Sequence, residues 1–332
     1  MQSTKALLLT KERESSEVES SITQVELPAI VPGQVRVAVD YSSLNYKDAL
    51  VMKGRGKLVN TYPHVPGIDL AGTVVESRDR RFAIGEKVLQ TGFFLGERFW
   101  GGYAELCNCR GEHLVKIPAE LSCKDAMVMG TAGFTAMQAI MQMEHNGLAP
   151  GQGPVMVLGA TGGVGSISCA LLVARGYEVH GSTGKVDQHE WLRSMGVQEV
   201  VERKKHEVEH PRLLDKAMYA GCIDCVGGQS LACVLPKMLY RSSVACLGNA
   251  GGNVLNTTVL PFLLRGINIL GIDSVQCPRG LRDEIWNRLA QDLPVSAYGA
   301  LGTVVGLEKL EMLAEAILDG GVRGRILVSP SQ

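Results

Sequence analysis

A chain of 332 residues is long enough for about two domains with separate cores. Its formal net charge of −1 gives no global field for nucleic acid or an anionic membrane, and no segment approaches the ~18 apolar residues of a membrane span. We therefore expect neither nucleic-acid nor membrane partners. The nine cysteines are scattered and odd in number, so we expect free thiols and a cytoplasmic setting.

The first third of the chain reads as strands and turns. Val35–Tyr41 alternates apolar and polar residues, as a half-buried strand does. Two further strands are predicted at Gly67–Glu76 and Gly102–Cys109, separated by loops that contain Gly and Pro. At Ser122 a capping-box pattern opens a Met- and Ala-rich helix that we expect to run to about Glu144.

From residue 155 onward, strand-like and helix-like segments alternate. The predicted strands are Val155–Leu158, Tyr177–His180, Glu199–Val201, Cys222–Val226, Val244–Leu247 and Asn268–Ile272. The predicted helices between them are Ser166–Arg175, Asp187–Met195 and Gly228–Leu239. This alternation indicates an α/β fold with a doubly wound parallel sheet. Two helical segments, Leu281–Gln291 and Leu307–Leu318, and a final strand, Arg325–Val328, follow it.

The first of these strands runs directly into a glycine-rich turn, Gly159–Gly165. Glycines there let the backbone turn tightly and approach a pyrophosphate, which then lies at the positive end of the next helix. The residues expected to wrap the pyrophosphate are Thr161, Gly162, Gly163 and Val164. The turn therefore predicts a dinucleotide site, with a purely structural glycine turn as the alternative.

The end of the second strand indicates which dinucleotide binds. About 20 residues after such a motif, an Asp or Glu would hold a ribose 2′-hydroxyl. Here no acid stands at that end; the residues are Ser182, Thr183, Gly184 and Lys185. Hydroxyl groups and an ammonium group suit a 2′-phosphate, so we expect NADPH rather than NADH as the cofactor.

Three motifs outside the dinucleotide segment point to a family. Ser43–Asp48, Pro66–Gly72 and Gly130–Ala136, with a dinucleotide domain placed between a β-rich N-terminal part and a C-terminal return, resemble the medium-chain dehydrogenase/reductase superfamily. The run Ser43–Ala49 and the closing strand at Gly324-Arg325 resemble most its zinc-free, quinone-oxidoreductase-like branch, which includes NADPH-dependent acrylyl-CoA reductases.

The resemblance covers essentially the whole chain and implies both fold and activity. It implies a GroES-like β-rich catalytic domain made of residues 1–127 and 276–332, and a Rossmann-type domain at 128–275. It further implies a homodimer that reduces the activated C=C bond of a short enoyl thioester, with acrylyl-CoA as the first expectation.

The resemblance also assigns site residues. Tyr46 is expected beside the cofactor, where a phenol can meet the charge on the substrate carbonyl oxygen and donate a proton. Asn45 and Asp48 are expected to position Tyr46, and Thr131 to lie near the site. The alternatives are that solvent supplies the proton, or that Tyr46 only packs against the nicotinamide. Further cofactor contacts are implied at Arg203, Asn249 and Ser274.

Zinc is not expected in this branch. Ile68 stands where the zinc-dependent relatives carry a histidine, and Asn45 lies where their first ligand region holds a cysteine. His206–His210 matches H-E-x-x-H, but a proline follows at once and the segment is charged, so we interpret it as a solvated connector. Cys222 and Cys225 would face opposite sides of a strand and could not chelate together.

Coenzyme A would need basic partners for its phosphates. Lys53, Arg55 and Lys57 form a cationic loop that could supply them, with a solvated face as the alternative. Three other functions stay open at this point: a quinone or enone reductase, a non-catalytic NADPH-binding protein, and a zinc peptidase.

Overall fold

The computed structural model describes residues 2–12, 17–293 and 301–332, and these form two compact units. The β-rich unit contains the chain up to Thr131, Ser274–Ala290 and the C-terminal segment. The parallel-sheet unit contains Ala132–Asp273 and the described residues from Gln291. The divisions thus follow Thr131 and precede Ser274, whereas the sequence placed them after residues 127 and 275.

The elements have the following bounds. The strands are β1 (Gln2–Thr10), β2 (Glu19–Leu27), β3 (Gln34–Leu44), β4 (Asp69–Ser77), β5 (Lys87–Thr91), β6 (Leu106–Arg110), β7 (Val115–Lys116), β8 (Val155–Leu158), β9 (Val179–Thr183), β10 (Glu199–Glu202), β11 (Tyr219–Asp224), β12 (Met238–Cys246), β13 (Asn268–Gly271), β14 (Gly302–Val305) and β15 (Arg325–Val328). The α-helices are α1 (Tyr46–Met52), α2 (Cys123–His145), α3 (Gly163–Ala174), α4 (His189–Ser194), α5 (Gly228–Val234), α6 (Leu260–Arg265), α7 (Arg279–Asp292) and α8 (Leu310–Leu318). None of the described helices is both long and apolar enough to cross a membrane.

In the β-rich unit, β3 organises the sheet, whose strand order is β14-β15-β3-β4-β5-β7. The first half of β3 pairs with β6, and its end pairs antiparallel with β15, Leu44 opposite Ile326. The alternating residues Val35, Val37 and Val39 are buried, as the sequence pattern predicted. This pairing brings the C-terminal strand beside the point where α1 begins.

The parallel-sheet unit has the strand order β10-β9-β8-β11-β12-β13, and every neighbouring pair is parallel. In chain order this is 3-2-1-4-5-6, the Rossmann order for dinucleotide binding. All four residues of β8 are buried, which explains its continuous apolar run. The predicted doubly wound sheet is confirmed.

Two predicted helices differ from the structure. α2 is broken at Gly130, whose backbone is non-helical with φ 50° and ψ −151°. α5 ends at Val234 instead of Leu239, because Pro236 follows in a short 3₁₀ turn and β12 already begins at Met238. Hydrophobic periodicity alone could not separate the end of this helix from the start of the next strand.

Candidate active site

The glycine-rich turn joins β8 to α3 in the parallel-sheet unit. Gly159 has a φ of +76°, a conformation that residues with a Cβ rarely adopt. A Cβ at Gly165 would come within 2.2 Å of the Gly159 carbonyl oxygen, so only glycine lets α3 pack this closely on the turn. The residues predicted to wrap a pyrophosphate lie at the N-terminus of α3: Thr161, Gly162, Gly163 and Val164. The helix dipole and the free N–H groups of a first turn favour an anion there.

The end of β9 lies beside this turn. The Thr183 hydroxyl is 3.0 Å from that of Thr161 and accepts the backbone N–H of Lys185 at 3.1 Å. The Arg203 guanidinium packs over Gly184, where a Cβ would lie 3.1 Å from its Cζ atom. Arg203 also pairs with Glu207 at 2.9 Å in an exposed contact, and such contacts contribute little to stability. A phosphate could therefore compete for the guanidinium.

Ser182 differs from its neighbours in this set. Its side chain is buried, and its hydroxyl lies 3.2 Å from Nδ1 of His206. Successive residues of a strand point to opposite faces, so Ser182 and Thr183 are directed to different sides of the sheet. The structure thus groups Thr161, Thr183 and Arg203, and gives the Ser182 hydroxyl a buried partner.

The loops after β11 and β12 are held at the same sheet edge. Asp224 is in register with Leu158, and its carboxylate accepts the N–H groups of Val226 at 2.9 Å and Gly227 at 2.8 Å. Its backbone carbonyl accepts the N–H of Gly248 at 3.2 Å, so the exposed Asn249 follows directly. Burial raises the pKa of Asp224. Asp224 was not among the site residues predicted from the sequence.

In the β-rich unit, α1 begins immediately after β3. The Asn45 backbone N–H donates to Oδ2 of Asp48 at 2.9 Å, and the Ile68 N–H donates to Oδ1 at 2.8 Å. Asp48 is fully buried. Burial first, and then the Asp69 carboxylate, raise the pKa of Asp48 to about 7 although these N–H groups oppose the shift.

Tyr46 is the first residue of α1. Its side chain is 39% exposed, and its phenol has no hydrogen-bond partner among the described residues. The next residue, Lys47, forms an ion pair of 3.0 Å with the buried Glu97. The phenol is therefore available to a ligand while its neighbours are anchored.

The remaining two predicted residues of this unit lie in different settings. The Thr131 backbone N–H donates to Oδ2 of Asp69 at 2.9 Å, which places Thr131 with Asn45 and Asp48 around one carboxylate. Ser274 belongs to another contact, because its carbonyl accepts from Arg282 at 3.0 Å. Of the predicted set, Asn45, Asp48 and Thr131 are brought together.

Sequence reasoning missed the centre of this group, Asp69, and its partners Arg325 and Ser43. Asp69 lies in the motif Pro66–Gly72 and Arg325 begins the last strand, but neither was predicted as a site residue. A buried acid and a buried base 256 positions apart give no local sequence signal.

The histidine and cysteine residues that could suggest a metal site lie in different settings. His206 is buried, which lowers its pKa to about 4, whereas His210 is exposed and non-helical. The Sγ atoms of Cys107 and Cys109 are 3.8 Å apart, and the Cys107 thiol and burial raise the pKa of Cys109. β11 ends before Cys225, so the two-face argument does not apply to it. Within residues 2–12, 17–293 and 301–332, no group of three or more His, Cys, Asp or Glu could hold a metal ion. Absence of zinc stays a prediction.

The cationic loop after α1 is partly neutralised. Lys53 pairs with Glu311 and, at 2.9 Å, with Glu315 of α8. Arg55 and Lys57 are exposed. The loop thus offers a phosphate fewer charges than its sequence suggests.

Comparison with known proteins extends over the full chain. Residues 31–119 match the alcohol dehydrogenase GroES-like domain. The chain is 47% identical to acrylyl-CoA reductase AcuI of Ruegeria pomeroyi, over 97% of this chain and 98% of that protein. It is 44% identical to the yhdH oxidoreductase of Salmonella enterica, solved in complex with NADP, with a TM-score of 0.94 over 98% and 99% of the two chains.

A third relative carries a different dinucleotide. The Bacillus subtilis protein yhfP, solved with NAD bound, is 40% identical, with a TM-score of 0.94 over 99% of this chain and 100% of that one. That relative is named as a putative quinone oxidoreductase. Because these identities extend over nearly the whole chain, the predicted family is confirmed: the chain belongs to the acrylyl-CoA reductase branch of the quinone-oxidoreductase-like medium-chain dehydrogenases/reductases.

Proposed function

We propose that this protein is an NADPH-dependent reductase of short enoyl thioesters, and that it converts acrylyl-CoA to propanoyl-CoA without zinc. The observation that carries the proposal is the 47% identity to an acrylyl-CoA reductase over 97% of the chain. The balanced reaction consumes one enoyl thioester, one NADPH and one proton.

The glycine-rich turn and the end of β9 would hold the cofactor. The turn suits the pyrophosphate, and the group Thr183, Lys185 and Arg203 suits a 2′-phosphate. The NADP-bound Salmonella relative supports this choice, and the NAD-bound Bacillus relative shows that it requires a test. Asn249, Thr131 and Ser274 are proposed as further contacts, whereas the buried Ser182 hydroxyl lies 3.2 Å from Nδ1 of His206 and is not assigned to the cofactor.

When bound, NADPH would supply a hydride to the β-carbon of the substrate. The thioester carbonyl oxygen then gains negative charge, and a donor placed there lowers the barrier. We assign that donor to the phenol of Tyr46, which is exposed at the start of α1. Asn45 and Asp48 hold this end of the helix, and the α-carbon takes its proton from Tyr46 or from solvent.

Steady-state NADPH oxidation tests the proposal. Purified protein is assayed with acrylyl-CoA, a simple enone and a simple quinone. We expect kcat/KM to be at least about tenfold higher for acrylyl-CoA, a difference of about 1.4 kcal/mol in transition-state binding. A quinone that matches acrylyl-CoA would instead favour the quinone reductase suggested by the Bacillus relative's description. Binding of NADPH without turnover of any acceptor would indicate a non-catalytic protein.

Assembly and location complete the proposal. We expect a homodimer, as the family resemblance implies, and a cytoplasmic location, as the scattered cysteines indicate. Size-exclusion chromatography with light scattering would give twice the chain mass of 35.6 kDa for the dimer and one chain mass for a monomer.

A further inference from the structure

A buried pair of opposite charges lies behind the start of α1. Asp69, the first residue of β4, is fully buried, and Arg325, the first residue of β15, is 3% exposed. Building on the proposed function, we propose that Asp69 and Arg325 are positioning residues for the reduction, and that they fix Asn45 and thereby the start of α1 that carries Tyr46.

Two side chains bridge the pair in parallel. The Ser43 hydroxyl accepts from Nη2 of Arg325 at 2.6 Å and lies 2.7 and 2.8 Å from the two oxygens of Asp69. The Asn45 amide accepts from Nη1 of Arg325 at 3.1 Å through Oδ1, and donates to Asp69 at 3.1 Å through Nδ2. Because the two ends of the amide face opposite charges, the amide has one favoured orientation.

In this orientation, Asn45 forms its hydrogen bonds within the protein. Its amide N–H groups also lie near Asp48 at 3.1 Å and the Ser43 hydroxyl at 3.3 Å, so they are engaged within the protein. Its backbone N–H is bound to Asp48, the third residue of α1. Asn45 therefore links the charge pair to the helix start, and a shift of Asn45 would displace Tyr46.

The same pair fixes a second segment. Nε of Arg325 donates to the Val128 carbonyl at 3.0 Å, and Asp69 accepts the Thr131 N–H at 2.9 Å. A Cβ at Gly130 would lie 2.7 Å from the Asp69 carboxylate, which explains why glycine stands at the break in α2. One pair of charges thus orders both segments that carry predicted site residues of this unit.

Stability alone does not account for such a pair. Burying two charges carries a desolvation cost that their attraction often fails to repay, and apolar residues of similar volume are often as stable. The charged and titratable groups that face Asp48 are Asp69, Arg325 and Tyr103. Burial lowers the pKa of Arg325, although Asp69 and Asp48 oppose the shift. A role in positioning the site explains why the protein retains this pair despite its desolvation cost.

Arg36 in β3 provides a matched control. It is 4% exposed in the same unit, and its guanidinium donates to Asn108, Gln2, Glu76 and the Pro28 carbonyl at 2.7 to 2.9 Å. It makes no hydrogen bond to Ser43–Asp48 within the described part of the chain. Arg36→Met therefore removes a buried arginine network without touching the start of α1.

The experiment compares Arg325→Met, Arg325→Lys and Arg36→Met in the full-length protein. For each we measure Tm, the Kd for NADPH by fluorescence, and kcat and KM with whichever acceptor the wild type reduces. Arg325→Met should lower kcat about 100-fold, as a misplacement of about 1 Å can. The Kd for NADPH should change far less than kcat, because the proposed phosphate contacts are on other residues and only the proposed contacts of Tyr46 and Thr131 lie in segments that the pair holds. Arg325→Lys should recover part of kcat, and Arg36→Met should lower Tm without a comparable loss of kcat.

Two results would overturn the proposal: an Arg325→Met enzyme with lower Tm and normal kcat, or an Arg36→Met enzyme with an equal loss of kcat. If Arg325→Met does not fold, Ser43→Ala removes one bridge without a change of charge. It should then lower kcat several-fold with KM unchanged, and a normal kcat would contradict the proposal. A wild type that reduces a quinone but not acrylyl-CoA refutes the proposed substrate and leaves this test intact. A wild type that reduces no acceptor removes both proposals.

Discussion

The glycine-rich turn and the charge pair around Asp69 organise their units in opposite ways. The turn uses seven consecutive residues, Gly159–Gly165, and depends on backbone shape and the absence of side chains. The charge pair joins residues as much as 282 positions apart and depends on side-chain charge in a buried setting. The first is a local device that a sequence displays, and the second exists only after the sheet has formed.

The difference has an energetic side. The polar groups at the turn are backbone groups that a bound anion can satisfy, so they need no partners within the protein. The charge pair must satisfy itself internally, because a buried charge without partners is strongly destabilising. We therefore expect changes at the turn to act on shape and cofactor, and changes at the charge pair to act on geometry and pH dependence.

The largest effect is expected at the turn. Gly165→Ala places a Cβ 2.2 Å from a backbone oxygen, and overpacking against backbone should cost about 3 kcal/mol of unfolding free energy. Urea denaturation measures this loss, with Gly271→Ala as the control because its Cβ would meet nothing within 4 Å. Equal stability of the two variants would show that α3 can move away from the turn.

The second-largest effect is expected at Asp48, beside the charge pair, and concerns the pH dependence of stability. The folded protein holds the Asp48 proton up to about pH 7, whereas an unfolded chain releases it near 3.8. The contribution of Asp48 to stability therefore falls as pH rises from about 4 to 7 and is constant above that. Between pH 5 and 8 this amounts to about 2 to 3 kcal/mol.

Asp48→Asn should remove this pH dependence. The measurement is urea denaturation of wild type and variant at both pH values. Asp79→Asn is the control, because a hydrogen bond from Arg81 lowers the pKa of Asp79 to about 2, outside the window. An identical pH dependence in wild type and Asp48→Asn would mean that Asp48 is already ionised at pH 5.

Lys185→Glu tests the cofactor assignment. It replaces a cation with an anion at the end of β9, so KM for NADPH should rise about 10- to 100-fold. This corresponds to the free energy lost with one charge-assisted hydrogen bond. KM for NADH should change far less. Lys124→Glu, an exposed site in the β-rich unit, makes the same charge change and should leave both values near wild type. Equal effects on the two cofactors would remove Lys185 from the 2′-phosphate site.

The smallest effect is expected at Tyr46. Tyr46→Phe keeps the ring and removes the hydroxyl, so kcat should fall about tenfold if the phenol donates a hydrogen bond or proton, with solvent supplying the remainder. Stopped-flow hydride transfer and steady-state kcat measure it, with Tyr240→Phe, an exposed residue of β12, as the control. Unchanged turnover would leave Tyr46 as a packing residue.

The dinucleotide unit was predictable because its signals are local. The apolar run of β8, the glycines after it and the alternation of strands and helices each lie within a few tens of residues. The predicted parallel sheet is confirmed on this basis. Errors occurred where two patterns meet, as at Pro236 between α5 and β12.

The β-rich unit was less predictable. β3 was anticipated by its alternation, but β1, β2, β5 and β14 were not, although each pairs with the strand next to it in the chain. In β2, for example, most residues are exposed, so buried and exposed positions do not alternate regularly. Of the site residues, Asn45, Asp48 and Thr131 came from a family resemblance, and the carboxylate that groups them was not among them.

The amino-acid sequence by itself determined the parallel-sheet topology and the shape of its glycine-rich turn, because contiguous residues encode both through periodicity and the lack of a Cβ. Only the tertiary structure decided that Asp69 and Arg325 meet across Ser43 and Asn45, and that Asp48 holds its proton near neutral pH. The physical reason is burial. Where water is excluded, a charged group needs partners within the protein and its pKa shifts, and that exclusion depends on strands from both parts of the chain packing together.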